Sequence, residues 1–333
     1  MNFSTKLENQ FHNLRINCPE TQKYIQHIYA DYIELNALFL KEEVSISDIS
    51  DKLLDINDSN MSETVELDAI EEDLQEIASL SAEKNDVIAG RFLAIFKICQ
   101  TRGILYTPEE YPFIIENNFI KLKENLSDKQ KIYIFLLLCS NLNYFRNIEH
   151  ELTVDFETLS FYSLKAMLPD SAIVKAFGKN SLYSGNAKVK ISALADDLNL
   201  KTKPDRLNAI PNNSTQERGL DLIAWLPFSD KIPNMLIILG QCACGKEWYN
   251  KQRETLRFEQ YISFEKTPIH AMFIPYAISD PNETNFYQND EILPTHLLFD
   301  RKRILEQIGD ADFLSSLLSI LAIERSISDR IEV

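Results

Sequence analysis

The sequence predicts an α+β protein of two domains, with an all-α helical domain over residues 1–150 and an α/β domain over residues 151–333. Three observations predict it. Apolar side chains recur every three or four residues in the first half, which is typical of buried helix faces. Short apolar runs separated by turn-rich segments dominate the second half, which is typical of strands. A chain of 333 residues with 45% hydrophobic and 25% charged residues suits two globular domains.

Four apolar or amphipathic segments predict the helices of the first half. They are Tyr24–Leu38, Ile70–Leu80, Ala89–Cys99 and Lys129–Leu142. A helix start signal, Ser127-Asp128, precedes the last of them. The polar segment Asp55–Ser62 predicts a loop, and no motif in this half indicates a chemical activity.

The second half combines predicted helices and strands. In chain order these are helix Phe156–Leu168, strands Leu220–Leu226 and Met235–Leu239, helix Glu247–Ile262, strands Ile269–Ile274 and His296–Phe299, and helix Phe313–Ile323. Asp300 follows the last strand and is predicted to cap a further helix start. This order of elements is that of an α/β or α+β domain.

The charge is strongly negative and unevenly distributed. A net charge of −16 argues against a general nucleic-acid coating protein, because phosphate binding depends on Lys and Arg. Residues 62–87 carry nine acidic side chains and one basic one, which predicts a solvated helix face. The alternative is a docking face for a basic protein partner. Residues 188–260 carry a net charge of +2, so any contact with a phosphate backbone is expected there.

Nothing in the composition indicates a membrane or secreted protein. The longest apolar run, near Ile132–Cys139, is far shorter than the ~20 residues that a membrane span needs. The polar opening segment does not resemble a secretory signal, and five scattered cysteines do not form a disulfide framework. We expect a cytoplasmic protein with reduced thiols and no membrane partner. The sequence also lacks a glycine-rich nucleotide-binding loop.

Two polar residues stand at the ends of neighbouring predicted strands. Asp221 is the only charged residue in an apolar strand, and a buried carboxylate is costly unless it is paired or binds a cation. Gln241 ends the next strand, where its amide oxygen could lie beside that carboxylate. Hard oxygens that converge from two strand ends are the ligands that Mg²⁺ prefers.

These residues resemble a known family of nucleases. The Gly219-Leu220-Asp221 strand, the next strand with Gln241 and a helix that begins Phe156-Glu157 are similar to motifs of the PD-(D/E)XK nuclease superfamily, most of all its Mrr-like restriction endonucleases. The resemblance covers about residues 151–275 and leaves out the N-terminal half. It implies a restriction-endonuclease-like α/β domain with a central mixed sheet.

The resemblance also implies roles for individual residues. Asp221 and Gln241 would bind Mg²⁺ (or Mn²⁺), the backbone carbonyl of Cys242 would assist, and Glu157 would be an outer acidic residue. The implied reaction is metal-assisted hydrolysis of a phosphodiester bond, with a lysine that orients the attacking water. The lysine position of the family is Ala243 here, so Lys246 is the natural substitute. Lys251 is the second choice.

Structural interpretations of the same residues stay open. Asp221 could pair with Arg218, and Glu157 could be a first-turn helix acid after Asp155 as the cap. Cys242 and Cys244 could belong to a zinc site, but no second pair of cysteines follows. A nucleophilic pair of Cys244 and His270 has no supporting motif.

Two kinds of DNA contact are conceivable. Trp225 and Trp248 could stack on bases, although core packing is the favoured interpretation of their spacing. Lys251, Arg253 and Arg257 follow one another on a predicted helix and are the best candidates for DNA-backbone contacts. A salt-bridged helix with Glu254 and Glu259 explains these charges equally well.

The favoured expectation is a metal-dependent DNA endonuclease, which by analogy with the family would act in bacterial restriction or anti-phage defence. The acidic helical half would then bind a protein partner or regulate the enzyme. A non-catalytic subunit that keeps the nuclease fold in a multi-protein defence complex is the alternative that Ala243 favours. An RNA-directed nuclease would share the same metal chemistry.

Overall fold

A computed structural model describes most of the second half of the chain and parts of the first. The described residues are 25–39, 43–45, 93, 95–214, 218–280, 285–286, 292–309, 312–317, 319–320, 323–324 and 327. They divide into two compact units, one with the described residues up to Ser127 together with residue 327, and one with those from Asp128 to 324. The predicted loop Asp55–Ser62, the predicted helix Ile70–Leu80 and the acidic segment 62–87 lie outside the described residues.

The first unit contains helices and a small antiparallel sheet. Its elements are helix α1 (Ile25–Phe39), strand β1 (Val44–Ser45), helix α2 (residues 95–105), and strands β2 (Phe113–Glu116) and β3 (Phe119–Leu122). The sheet has the strand order β1-β3-β2. The helices predicted at Tyr24–Leu38 and Ala89–Cys99 are confirmed over their described residues.

The expectation of an all-α first half is wrong for the described residues. Strands β2 and β3 form a hairpin in which Glu116 pairs with Phe119 across a turn at Asn117 and Asn118. Asn117 has a φ of 52°, a left-handed conformation that asparagine tolerates better than most residues. Two short apolar runs around an Asn-Asn pair were the signal for this hairpin in the sequence.

The second unit is an α+β unit built on a five-stranded mixed sheet. Its helices are α3 (Asp128–Cys139), α4 (Glu149–Met167), α5 (Ala187–Asp197), α6 (Pro204–Asn208), α7 (Trp248–Lys251) and α8 (Arg301–Gln307). Its strands are β4 (Ile173–Ala176), β5 (Lys201–Thr202), β6 (Leu222–Trp225), β7 (Ile237–Cys242), β8 (Ile262–Ser263), β9 (Ile269–Phe273), β10 (Ser279–Asp280), β11 (Asn285–Phe286) and β12 (His296–Phe299).

The central sheet joins antiparallel and parallel pairs. Its strand order is β12-β9-β7-β6-β4, where β4, β6 and β7 pair antiparallel and β7, β9 and β12 pair parallel. The predicted mixed sheet is therefore confirmed, including the strands predicted at Leu220–Leu226 and Met235–Leu239. Every residue of β6 is buried, as its uninterrupted apolar run predicts. Shorter pairs, β5 with β8 and β10 with β11, complete the strands.

Helices α3 and α4 pack against each other and against α8. Every residue of α3 from Ile132 to Cys139 is buried. Because this apolar helix packs within the second unit, the division at residue 128 does not coincide with the predicted boundary after residue 150. Helix α4 begins at Glu149, seven residues before the predicted start at Phe156. It also contacts β4, β6 and β7.

The predicted helix Glu247–Ile262 is interrupted. Helix α7 ends at Lys251, and a 3₁₀-helix follows over Thr255–Gln260. Thr255 and Phe258 are both buried, and a 3₁₀-helix places residues three apart on the same side. Core packing therefore outweighs the amphipathic pattern of this segment.

The last part of the second unit agrees with the predicted elements where it is described. Asp300 caps α8, since its side chain accepts a hydrogen bond from the backbone N–H of Arg303. The predicted helix Phe313–Ile323 begins as a 3₁₀-helix, Asp312–Ser316, and residues 319–320 and 323–324 are helical. Among the helices that the structure describes, none combines the length and the apolar character needed to cross a bilayer.

Two buried histidines face each other across the parallel strands β9 and β12. His270 and His296 are register partners, and their rings stack with centroids 5.1 Å apart. His270 also contacts Thr255 Oγ1 at 2.9 Å and Glu259 Oε1 at 3.2 Å, while His296 contacts Thr295 and the carbonyl of Gln252. Burial lowers the pKa of both histidines below the ordinary value of 6.5.

We expect the free energy of unfolding to decrease as the pH is lowered from about 7.5 to about 5.5. The unfolded chain takes up protons on these histidines near pH 6.5, whereas the folded chain takes them up only at lower pH, so acid favours unfolding. Urea unfolding at a series of pH values measures this. His270→Gln should reduce the pH dependence, and the control His150→Gln, at an exposed histidine, should leave it unchanged.

Candidate functional site

Asp221 and Gln241 lie opposite each other at one end of the sheet. Asp221 directly precedes β6, and its backbone N–H donates to the carbonyl of Gly240 at 2.9 Å, which continues the pairing of Leu222 with Gly240. Its carboxylate oxygen Oδ2 accepts a hydrogen bond of 2.7 Å from the backbone N–H of Cys242. The predicted juxtaposition of these two strand ends is therefore present in the structure.

A left-handed turn delivers Asp221 to this position. Arg218 and Gly219 have φ values of 59° and 84°. Gly219 also passes so close to Glu254 that an added Cβ would stand 2.5 Å from the Cβ of Glu254. Only glycine meets both demands without strain. Arg218 donates a hydrogen bond to Ser214 Oγ at 3.2 Å. The predicted alternative, in which Arg218 pairs with Asp221, is therefore wrong.

Glu157, on helix α4, lies near the carboxylate of Asp221. The end of β4 leads into Gly178, where an added Cβ would stand 2.8 Å from Glu157 Oε2 and 2.9 Å from Asp221 Oδ1. The two oxygens therefore cannot be farther apart than the sum of these distances. The backbone N–H groups of Phe177 and Gly178 donate to the Asp221 carbonyl at 2.7 and 3.0 Å, which holds the loop in place.

The interpretation of Glu157 as a first-turn helix acid is wrong, because α4 begins eight residues earlier at Glu149. Asp155 is not its cap either, since it lies within the helix and accepts hydrogen bonds from the backbone and hydroxyl of Ser319. Glu157 is buried, and its Oε2 accepts a hydrogen bond of 2.9 Å from the backbone N–H of Lys179.

Gln241 adds an amide oxygen that lacks a partner. Its side chain is 6% exposed, and its Nε2 donates weakly to the carbonyl of Cys242 at 3.4 Å. Among the described residues, nothing donates a hydrogen bond to its buried Oε1. A buried acceptor without a donor is unfavourable by itself and becomes favourable when a cation or a water binds.

These groups line a cavity of about 750 Å³. Its lining residues are Ser140, Leu142, Asn143, Arg146, Glu149, His150, Thr153, Phe156, Glu157, Lys179, Asp221, Gln241, Cys242, Cys244, Gly245, Lys246, Lys251 and Tyr276. The lining contains four basic side chains and three acidic ones. This local balance differs from the net charge of −16 of the whole chain.

Ala243 does not face the cavity. It is 1% exposed and packs in a hydrophobic cluster with Trp248, Met272 and Tyr276. Its backbone N–H donates to the carbonyl of Phe273 at 2.9 Å, which continues the pairing of β7 with β9. A lysine at position 243 would be buried among apolar side chains. Any lysine at this end of the cavity therefore comes from another position.

Three lysines line the cavity. Lys246, predicted as the substitute, is half-buried, and Lys251, the second choice, is exposed. Lys179 also lines the cavity and was missed in the sequence, because the strand that precedes it, β4, was not predicted. The Gly178-Lys179 pair at the end of an apolar strand is the only signal that could have indicated it.

The predicted DNA-contacting face at Lys251, Arg253 and Arg257 is not one helix face. All three side chains are exposed, but α7 ends at Lys251 and Arg257 lies in the following 3₁₀-helix. Lys251 is the one of the three that lines the cavity. Trp225 and Trp248 are core residues, 4% and 1% exposed, which confirms the favoured interpretation of their spacing.

The cysteine chemistry considered from the sequence is not supported. In the part of the chain that the structure describes, no group of three or more His, Cys, Asp or Glu side chains could hold a metal ion. His270 contacts Thr255 and Glu259, which does not leave it as a base for Cys244. Burial raises the pKa of the Cys242 thiol, and the nearby charges of Asp221 and Glu157 raise it further, so this thiol stays protonated.

The arrangement fits a hard divalent cation bound by oxygens. The carboxylates of Glu157 and Asp221 approach each other beside Gly178. The amide oxygen of Gln241, which accepts no hydrogen bond from the described residues, lies at the same end of the sheet. Mg²⁺ and Mn²⁺ prefer oxygen ligands and usually keep several waters, so two carboxylates and one amide suffice. The residues that could hold the ion are Asp221, Glu157 and Gln241, with the carbonyl of Cys242 beside them.

Comparisons of the chain with protein-family models, curated proteins and solved structures give no match. The function therefore has to be inferred from the side chains that meet at the cavity.

Proposed function

We propose that this chain is a metal-dependent DNA endonuclease of the PD-(D/E)XK type, with a restriction-endonuclease-like fold in its second unit. One observation carries the proposal: Glu157 Oε2 and Asp221 Oδ1 both lie within 3 Å of the position that a Cβ of Gly178 would occupy. Two carboxylates so close together repel each other unless a cation or a proton lies between them. The mixed sheet and the Gly-Leu-Asp and Gln motifs at its adjacent strand ends support the same conclusion.

Mg²⁺ or Mn²⁺ bound here would polarise a phosphodiester and lower the pKa of a bound water. Asp221, Glu157 and Gln241 would hold the ion. Asp221 keeps its orientation because Oδ2 accepts a hydrogen bond from Cys242, which leaves Oδ1 on the side of Glu157. The backbone N–H of Lys179 orients Glu157 in the same way. The chain thus positions its acidic ligands before substrate binds.

Lys246 would orient the attacking water and stabilise the negative charge that develops on the phosphate. It lines the cavity four residues after the end of β7, whereas Ala243 is buried in the core. Its four-methylene side chain gives it the reach that this position requires. Lys251 would contribute to binding of the DNA backbone from the rim of the cavity.

The proposed biological role is restriction or anti-phage defence, and it comes from the resemblance alone. The acidic segment 62–87 would then bind a basic protein partner, which would also bring a chain with a net charge of −16 to DNA.

A non-catalytic subunit that keeps the nuclease fold is the second candidate. The observation that favours it is the burial of Ala243 in a hydrophobic cluster, since the family position of the lysine is thereby closed to any cation. The two candidates differ in one measurable respect, because only the endonuclease would hydrolyse a phosphodiester.

Purified full-length protein is expected to nick or linearise plasmid DNA in the presence of Mg²⁺ or Mn²⁺ and to be inactive in EDTA. Asp221→Ala should lower the rate at least ~1000-fold, because it removes a metal ligand on which the reaction depends. Agarose gels of a time course measure this, and an RNA substrate in parallel tests the choice of nucleic acid. Absence of cleavage of either substrate, with folded protein and both metals, would favour the non-catalytic subunit. Cleavage that persists in Asp221→Ala would place the reaction elsewhere.

A further inference from the structure

A second group of side chains extends from the carboxylates along helix α4. His150, Thr153 and Glu157 follow one another on α4 at intervals of three and four residues, and Arg146 lies in the 3₁₀-helix Arg146–Ile148 directly before α4. All four line the cavity. Such spacing places residues on one side of a helix. We call Arg146, His150 and Thr153, together with the ammonium group of Lys179, the α4 stripe.

Lys179 is fixed to this stripe through Thr153. Its Nζ donates a hydrogen bond of 2.6 Å to Thr153 Oγ1, and Thr153 Oγ1 donates to the carbonyl of His150 at 3.0 Å. The ammonium group thus lies one helical turn from Glu157 and retains two further donors. Its backbone N–H holds Glu157, so one residue links the carboxylate end to the rest of the stripe.

Arg146 supplies a second cation at the far end. Its side chain is exposed, and within the described residues its guanidinium forms no hydrogen bond or ion pair. Glu157 lies eight residues from the start of α4, about 12 Å at the rise of an α-helix, and Arg146 lies one 3₁₀ turn before that start. Glu149 is the one acidic side chain of the lining near this end, and His150 lies beside it.

We propose that the α4 stripe binds the phosphates of the DNA strand next to the phosphodiester that is cleaved. This inference rests on the proposed function. Cations and neutral donors in a row, beginning beside the metal ligands, suit successive phosphates, which are spaced about 3.4 Å along the axis of a duplex for one strand. The stripe is longer than this spacing and can contact more than one phosphate.

The stripe also explains how an acidic chain can hold DNA. Phosphate contacts depend on the local arrangement of Lys, Arg and neutral donors rather than on the net charge of the molecule. Lys179 and Arg146 carry full charges, and Thr153 holds the first of them in a fixed place. A preorganised cation loses less conformational entropy on binding than a mobile one.

Lys179→Gln and Arg146→Gln test the inference in the full-length chain. Binding of a labelled DNA oligonucleotide is measured by fluorescence anisotropy in Ca²⁺ over a range of salt concentrations, and cleavage is measured in Mg²⁺. Each variant should weaken binding about 3- to 10-fold and reduce the slope of log K against log salt by roughly 0.7 to 0.9. KM should rise while kcat stays close to that of the wild type, and the melting temperature should not change, because both side chains are exposed.

Lys231→Gln and Arg206→Gln are the matched controls, since both side chains are exposed and neither lines the cavity. They should leave the affinity and the salt slope unchanged. Unchanged slopes in the two stripe variants, in a wild type that cleaves DNA, would overturn the inference and leave the proposed function intact. A fall in kcat without a change in slope would also overturn it. A wild type that neither binds nor cleaves DNA would remove the proposed function and the inference together.

Discussion

Gly178→Ala is expected to reduce DNA cleavage at least ~100-fold while the protein stays folded, since displacements of about 1 Å at reacting groups have effects of this size. The added Cβ would stand 2.8 Å from Glu157 Oε2 and 2.9 Å from Asp221 Oδ1, so both carboxylates have to move apart. The backbone of Gly178 does not have a positive φ, so alanine fits its conformation. Plasmid cleavage and thermal unfolding, measured on the same preparation, separate the two effects.

Gly309→Ala is the matched control for this substitution. An added Cβ at Gly309 would meet nothing within 4 Å, and the residue does not line the cavity. This variant should keep wild-type activity and stability. Wild-type cleavage by Gly178→Ala would show that the reaction does not require the observed arrangement of Glu157 and Asp221.

Asp221→Asn is expected to abolish stabilisation of the protein by divalent cations. In the wild type, Mn²⁺ at one hundred times its dissociation constant should add about 2.7 kcal/mol to the free energy of unfolding. For a folded unit of this size, that raises the melting temperature by several degrees. The variant should show almost none of this shift, because it lacks the carboxylate that faces Glu157. Differential scanning fluorimetry with and without Mn²⁺ measures it without any need for activity.

Without metal, the same variant should be at least as stable as the wild type. An asparagine oxygen can still accept the hydrogen bond from the backbone N–H of Cys242, and the repulsion between two adjacent carboxylates is removed. Asp230→Asn is the control, because Asp230 likewise accepts a backbone hydrogen bond, from Ile232 at 2.9 Å, but lies outside the cavity. An equal Mn²⁺ shift in Asp221→Asn would show that the cation binds elsewhere.

The pairing of Asp221 with Gln241 could be predicted because both follow from local patterns. Strands β6 and β7 are apolar runs on either side of a turn-rich segment, so antiparallel pairing brings the start of one strand to the end of the other. A lone carboxylate at the edge of such a run is costly without a partner, which identified Asp221 as a candidate ligand. Glu157 was also identified, although the start of its helix was misplaced.

The rest of the site could not be predicted because it depends on contacts distant in sequence. Gly178 matters only because Glu157 and Asp221 approach it from two other elements. Lys179 belongs to the site through Thr153, 26 positions earlier in the chain. The 3₁₀-helix over Thr255–Gln260 replaced a predicted α-helix because Thr255 and Phe258 are both buried in the core. None of these features has a periodic signal in the sequence.

By itself, the sequence determined four of the five strands of the central sheet, that two of them pair, and that a carboxylate and an amide lie at their ends. Hydrophobic periodicity and turn chemistry act over a few residues, so they are readable without the fold. Only the tertiary structure decided that Ala243 enters the core, that Glu157 joins Asp221 at Gly178, and which cations surround the cavity. Those outcomes depend on how helices pack on the sheet, which no local pattern encodes.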